Sequence, residues 1–149
     1  YWLIGLTLVW VFSRGPIRTT AILWALTLAI LAVAVLGIKF LLRRPRPEGD
    51  WGSIYRVTDP HSFPSGHAAR AMTIAFLALQ FQDPLWFIGL LIWTILVGYS
   101  RVALRLHYFS DILVGWLIGA LSGFLALNFL PVLIQKLPVI FPFLSSLLK

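Results

Sequence analysis

The chain has 149 residues, of which 60% are hydrophobic and 11% are charged, whereas soluble domains are roughly half apolar and a quarter charged. This composition excludes an ordinary soluble domain and favours a bundle of membrane-spanning helices. The net charge of +7 would suggest nucleic acid in a soluble protein, but the basic residues lie at the ends of apolar runs, as in membrane anchoring. Cysteine is absent, which excludes disulfides and thiolate metal sites.

Apolar runs of the length that a spanning helix needs, about 20 residues, predict the fold. The predicted spans are, in chain order, Tyr1 to Phe12, Thr20 to Leu42, Ser65 to Gln82, Leu85 to Ser100 and Tyr108 to Leu130. The first run is short and is interpreted as a trimmed or tilted span. Residues 131–149 contain three prolines, Pro131, Pro138 and Pro142, and form either a short sixth span or an interfacial helix. We therefore expect one all-α membrane domain over residues 1–149, with five to six spans.

Two polar segments interrupt these spans. Residues 43–64 form the longest hydrophilic stretch, with seven charged residues and several prolines and glycines, and residues 101–107 form a short basic segment. Because one predicted hairpin of spans separates them, both segments lie on the same side of the membrane. The sequence thus predicts a shared site at one membrane face, at the interface.

The first polar cluster ends the second predicted span. Lys39 and Arg46 are seven residues apart, about two helical turns, although Pro45 makes a continuous helix uncertain. A positive flank that anchors the span would explain the arginines. It explains Lys39 less well, because an ammonium inside an apolar run is costly without a partner.

The second cluster, Pro64-Ser65-Gly66-His67, opens the third predicted helix. Free backbone N–H groups and the positive end of the helix dipole favour an anion such as phosphate there. Gly66 allows close approach to the backbone. An ordinary serine cap followed by an interfacial histidine is the alternative.

The third cluster runs from Ser100 to Asp111. His107 and Asp111 are four residues apart at the start of a helix, so that their side chains share one face and can form a hydrogen bond. A carboxylate that holds one imidazole nitrogen leaves the other free to attack. A helix-capping carboxylate beside a surface histidine is the alternative.

In order, the three clusters resemble the signature of the type 2 phosphatidic acid phosphatase family. The matching residues are Lys39-x6-Arg46-Pro47, Pro64-Ser65-Gly66-His67 and Ser100-Arg101-x5-His107-x3-Asp111. The signature is similar to that of bacterial undecaprenyl-diphosphate and phosphatidylglycerophosphate phosphatases, and soluble vanadium-dependent haloperoxidases share it. The resemblance covers about residues 20 to 130.

The resemblance implies a lipid phosphatase without a cofactor. His107 would be the nucleophile that forms a phosphohistidine, Asp111 would orient it, and His67 would be the general acid that later activates water. The phosphoryl oxygens would be held by Lys39, Arg46, Arg101, Ser65 and the backbone N–H of Gly66. The substrate would be a lipid phosphate or diphosphate of the phosphatidic acid, phosphatidylglycerophosphate or polyprenyl diphosphate class.

Other polar residues receive no catalytic role. Two-metal phosphatases need several carboxylates, and the chain has only five acidic residues, so no metal site is expected. Arg70, one turn after His67, would either contact a diphosphate or headgroup or anchor the helix. We expect four residues to be solvated on the surface: Glu48, Asp50, Asp59 and His61. Four arginines are expected to attract anionic lipid: Arg43, Arg44, Arg56 and Arg105.

The same motifs leave two alternatives open: phosphotransfer to a second lipid or alcohol, and non-catalytic binding or transport of a lipid phosphate. A haloperoxidase is disfavoured because those enzymes are soluble. The expected partners are a membrane lipid and the bilayer, not nucleic acid, and the oligomeric state stays open. Basic residues flank both sides of the predicted spans, so orientation rests on the resemblance, which implies an extracytoplasmic site on the plasma membrane.

Overall fold

The computed structural model describes residues 16–49 and 59–140, together with Gly5 and Thr7. Within these ranges the chain is helical and contains no strand. The elements are α1 (Pro16–Leu42), α2 (Gly66–Leu77), a 3₁₀ segment (Ala78–Phe81), α3 (Pro84–Ala103) and α4 (Phe109–Ile140). The predicted all-α fold is confirmed for this part of the chain.

Three helices are long and apolar enough to cross a membrane: Thr20–Leu42, Pro84–Ala103 and Phe109–Phe129. Large apolar side chains cover their outer surfaces, which suits contact with lipid rather than water. The predicted number of five to six spans is not confirmed. The first predicted span, Tyr1 to Phe12, lies outside the described residues except for Gly5 and Thr7.

The ends of α1 and α3 follow from local chemistry. The helix α1 is described from Pro16 onwards. It ends where Arg43 adopts a φ of 48° and donates its N–H to the Lys39 carbonyl at 2.9 Å. The helix α3 begins after Asp83, whose carboxylate accepts the Leu85 N–H at 2.9 Å.

The helix α4 corrects one prediction. A break after Leu130 was expected at Pro131, but the helix continues to Ile140. Proline removes one backbone hydrogen bond, and membrane helices tolerate that loss where neighbouring groups satisfy the freed carbonyl. Residues 131–140 therefore belong to α4 and form neither a separate sixth span nor an interfacial helix. Residues 141–149 lie outside the described ranges.

A close contact between α2 and α4 sets the position of the site. A Cβ atom on Gly119 would collide with the Ala69 carbonyl oxygen, and one on Gly115 would lie 2.7 Å from the Ser65 carbonyl oxygen. Glycines four residues apart let two helix backbones approach in this way. The Thr73 hydroxyl also donates to the Gly119 carbonyl at 3.0 Å. As a result, the N-terminus of α2 lies beside the start of α4.

Candidate active site

The two polar segments meet at one end of the helices, as the order of spans predicts. The Arg46 Nη1 donates to the Leu106 carbonyl at 2.6 Å, which joins the loop after α1 to the loop after α3. The Ser65 N–H donates to the Asp111 carbonyl at 3.0 Å. All three sequence clusters thus contribute to one site.

His107 and Asp111 form a buried pair in this site. Their relative exposures are 3% and 0%, and the Nδ1 of His107 lies 3.6 Å from the Oδ2 of Asp111. The same Oδ2 accepts the Tyr108 N–H at 2.9 Å, which anchors the carboxylate to the first turn of α4. The distance to Nδ1 exceeds that of a strong hydrogen bond, but such bonds are commonly long before substrate binds.

The other imidazole nitrogen faces a cation. The Nη1 of Arg46 lies 3.4 Å from the Nε2 of His107. Arginine has no acceptor atom, so a hydrogen bond here requires an unprotonated Nε2 and a proton on Nδ1. This tautomer directs the N–H towards Asp111 and the free electron pair towards Arg46.

Arg101 holds the backbone that carries His107. Its carbonyl accepts the N–H groups of Leu106 and His107 at 3.0 and 3.3 Å, so the chain turns back immediately after α3. The Nε of Arg101 is buried without a hydrogen-bond partner among the described residues. A buried guanidinium N–H without a partner can donate a hydrogen bond to a bound anion.

Lys39 is buried against a carboxylate that the sequence analysis misread. The Nζ of Lys39 lies 2.8 and 3.0 Å from the two carboxylate oxygens of Asp59 and donates to the His61 carbonyl at 2.7 Å. Asp59 also pairs with the Nη2 of Arg46 at 3.0 Å. The prediction that Asp59 is a solvated surface charge is therefore wrong, since two buried cations attract it into the site.

The surroundings of His61 also differ from those predicted. Its ring packs edge-on against Phe40, with 5.7 Å between the ring centroids, and the residue is half-buried. It is not a solvated loop histidine, because the hydrogen bond from Lys39 to its carbonyl draws the backbone inwards.

Arg44 was also missed. Its Nη1 donates to the Oδ1 of Asp111 at 2.8 Å and to the Ser110 hydroxyl at 2.8 Å, and its guanidinium stacks 4.2 Å above the ring centroid of Tyr108. The sequence analysis expected Arg44 only to attract anionic lipid. A signal lay in Pro45, because a proline disfavours a helical conformation at the residue before it.

The N-terminus of α2 carries the second motif. The hydroxyl of the buried Ser65 caps the helix by accepting the Ala68 N–H at 3.4 Å. A Cβ atom on Gly66 would meet its nearest protein atom, on Val35, at an ordinary 3.5 Å. Packing within the protein thus does not demand glycine here, and the exposed backbone N–H is the feature that suits an anion.

Both site histidines, which lie outside the three candidate spans, have lowered pKa values. Burial and then the positive charges of Arg101 and Arg70 lower the pKa of His67 to about 4. Burial also lowers the pKa of His107, with Arg46 acting in the same direction and Asp111 against it. Both imidazoles are therefore neutral at pH 7 before an anion binds.

A cavity of about 250 Å³ opens beside the N-terminus of α2. Its polar wall contains Lys39, Asp59, Gly66, His67 and Arg70. Its apolar wall is formed by five residues of α1: Leu31, Ala32, Val33, Val35 and Leu36. Polar groups at one end and an apolar helix face at the other suit an amphipathic ligand.

Several characterised proteins are similar to this chain over part of their length. The chain is 34% identical over 118 residues to an undecaprenyl-diphosphatase of Sulfolobus acidocaldarius, covering 74% of this chain and 56% of that protein. It is 35% identical over 85 residues to phosphatidylglycerophosphatase B of Haemophilus influenzae, covering 51% and 35%. It is 38% identical over 64 residues to a lipid A 4'-phosphatase of Bacteroides thetaiotaomicron, covering 42% and 28%.

The chain thus spans about half, or less, of the length of each of these relatives. No solved structure matches it. The model of the PAP2 superfamily matches residues 18–134, a range that contains all three motifs. The family suggested by the motifs is confirmed, and the chain belongs to the PAP2 superfamily.

Proposed function

We propose that this chain hydrolyses a lipid phosphate or lipid diphosphate, without a metal, through a phosphohistidine formed on His107. The observation that carries the proposal is the surroundings of this imidazole. Nδ1 lies 3.6 Å from the buried Asp111 carboxylate, and Nε2 lies 3.4 Å from the guanidinium of Arg46. A nucleophile oriented on one side and facing a phosphate-binding cation on the other suits phosphoryl transfer.

The phosphoryl group would bind where the cations and the N-terminus of α2 converge. Its proposed ligands are Lys39, Arg46, Arg101, the Ser65 hydroxyl and the backbone N–H of Gly66. All three N–H groups of the Lys39 ammonium have acceptors within 3.0 Å, in Asp59 and His61. Direct contact with substrate therefore requires Lys39 to exchange one of these acceptors for a phosphoryl oxygen.

The reaction would proceed in two displacements. The Nε2 of His107 attacks phosphorus while the bond to the leaving oxygen breaks, and His67 protonates that oxygen. Water, activated by His67, then breaks the nitrogen–phosphorus bond and releases inorganic phosphate. Asp111 stabilises the positive imidazole during the first step, and the cations stabilise charge on the phosphoryl oxygens.

The cavity supports a lipid substrate. Its polar end contains His67, and its apolar wall follows α1 away from the site, so a headgroup and the start of a lipid tail can bind together. The relatives are named for a polyprenyl diphosphate, a phosphatidylglycerophosphate and a lipid A phosphate. We extend this substrate class to the present chain, as one membrane domain with its site on the extracytoplasmic face of the plasma membrane.

The test is phosphate release from detergent-solubilised phosphatidic acid, phosphatidylglycerophosphate and a polyprenyl diphosphate, in excess EDTA. We expect release by the wild type and a loss of at least about a thousandfold in His107→Ala. His61→Ala is the matched control, because it removes another histidine ring but keeps the carbonyl that accepts from Lys39. Absence of release from every lipid, or equal release by His107→Ala, would overturn the proposal.

A further inference from the structure

The cavity beside α2 extends beyond the group that would be transferred. Arg70 lies on its wall together with His67 and Lys39, although no motif contains Arg70. His107 and Arg46, which would contact the transferred phosphoryl group, are not among its lining residues. The cavity therefore meets the proposed phosphoryl site at Lys39 and Gly66 and has room beside it for the rest of the substrate.

Arg70 is held in place on this wall. Its Nε donates to the Gly66 carbonyl at 3.0 Å, and its Nη2 lies 3.9 Å from the position that a Cβ on Gly66 would occupy. The guanidinium thus lies alongside the first residue of α2, whose N–H is a proposed phosphoryl ligand. The guanidinium is therefore within reach of an anionic group bound in the cavity next to the phosphoryl group.

The other charged groups on the wall are consistent with an anion there. The carboxylate of Asp59 also lines the cavity, but it is paired with Lys39 and Arg46 at 2.8 and 3.0 Å. Its negative charge is therefore directed at those two cations. Arg70 and His67 make up the polar wall along α2, and an arginine fork matches phosphate oxygens well.

We infer that Arg70 forms a second phosphate subsite, which binds the phosphate next to the lipid and makes a lipid diphosphate the preferred substrate. This inference rests on the proposed function and names the substrate class of the same site. In a monophosphate ester, the atom beyond the leaving oxygen is carbon and gives Arg70 nothing to bind. In a diphosphate, a second phosphoryl group occupies that place.

The chemistry of the leaving group separates the two substrates. For a diphosphate, the Nε2 of His107 bonds to the terminal phosphorus, and the electron pair of the broken bond goes to an oxygen of the departing lipid monophosphate. That oxygen belongs to a phosphate whose second pKa is about 6, so a cation stabilises it well even without a proton. For a monophosphate ester, the electron pair goes to an alkoxide oxygen, which needs the proton of His67 far more.

The experiment compares two substrates with the same tail, farnesyl diphosphate and farnesyl monophosphate, in detergent. The quantity measured is the ratio of their kcat/KM values in each variant. We expect Arg70→Gln to lower the ratio of diphosphate to monophosphate by at least about tenfold, as for loss of one charge-assisted contact. Arg70→Lys restores part of the ratio, and His67→Ala raises it.

Arg105→Gln is the matched control, because this exposed arginine lies in the loop after α3 and outside the cavity lining. It should leave the ratio unchanged. An Arg70→Gln enzyme that loses activity equally on both substrates, or on neither, overturns the second subsite. If the wild type released no phosphate from either compound while the lipid panel was also inactive, the proposed function itself would fall. If the wild type is active but Arg70→Gln has the same ratio as the wild type, only the second phosphate subsite is overturned, and the proposed function stands.

Discussion

Arg44 donates a 2.8 Å hydrogen bond to the Oδ1 of Asp111, while the Oδ2 of that carboxylate faces the Nδ1 of His107 at 3.6 Å. The buried carboxylate thus lies between a permanent cation and the proposed nucleophile. Ser62 fixes the loop that carries Arg44, because its N–H donates to the Arg44 carbonyl at 2.9 Å. We therefore expect Arg44 to be a positioning residue for the proposed reaction, acting through Asp111.

Replacing Arg44 by glutamine should lower kcat by about tenfold, the loss expected for one charge-assisted contact to a buried group. Removal of the cation also leaves Asp111 more effective in attracting a proton to His107, so the pKa of His107 rises. The acid limb of the rate profile should therefore move to higher pH. Profiles of kcat and kcat/KM against pH test this, with the exposed neighbour Arg43→Gln as control. An unshifted acid limb would leave Arg44 with a structural role only.

We expect Asp59 to affect the reaction rate through the two cations with which it forms ion pairs. Asp59→Asn removes the charge that pairs with Lys39 and Arg46 at 2.8 and 3.0 Å, and we expect kcat/KM to fall about tenfold. Glu48→Gln, an exposed acid in the same loop, should change it less than about twofold. Tighter binding of inorganic phosphate to Asp59→Asn would contradict this, because it would mean that the carboxylate competes with substrate.

The rate with a monophosphate lipid should be greatest in mildly acidic solution. In the free protein burial lowers the pKa of His67 to about 4, so the proton that His67 passes to the leaving oxygen enters with the substrate monoanion, whose pKa is about 6. Above that pH the dianion dominates and kcat/KM falls, and below the lowered pKa of His107 the nucleophile is lost. A kcat/KM that rises from pH 6 to pH 8 would rule out this assignment of the proton.

The α2–α4 contact predicts a stability difference between two glycines. An alanine at Gly119 would place its Cβ against the Ala69 carbonyl, whereas one at Gly89 meets nothing within 4 Å. Gly119→Ala should lower the free energy of unfolding by about 1–3 kcal/mol, and Gly89→Ala should leave it unchanged or raise it by up to about 1 kcal/mol. Thermal unfolding in detergent measures both. Equal Tm values would show that the two helices can separate without cost.

Most of the helical framework could be predicted from the sequence. Apolar runs bounded by prolines and polar turns gave α1, the hairpin of α2 and α3, and the start of α4, because each depends on local chemistry. Pro131 misled the prediction, since a proline ends a helix in water more readily than inside a bundle. The spacing of Gly115 and Gly119 did contain a signal for close helix packing that the prediction did not use.

The contacts of Arg44 and Asp59 could not be predicted in this way. Arg44 reaches Asp111 across 67 positions of the chain, and Asp59 reaches Lys39 across 20. Such pairs depend on how the loops fold over the helix ends, and no periodicity encodes that path. Motifs identified His107, Asp111 and Arg46, and the structure brings these three together, while their catalytic roles stay a prediction.

The stereochemical course at phosphorus tests the central claim most directly. A lipid with a terminal phosphorothioate made chiral by two oxygen isotopes would be hydrolysed in water labelled with the third isotope, and the configuration of the released thiophosphate determined. Each in-line displacement inverts phosphorus, so two displacements through His107 predict overall retention. Inversion would mean that water attacks the lipid phosphate directly, and the phosphohistidine would have to be abandoned.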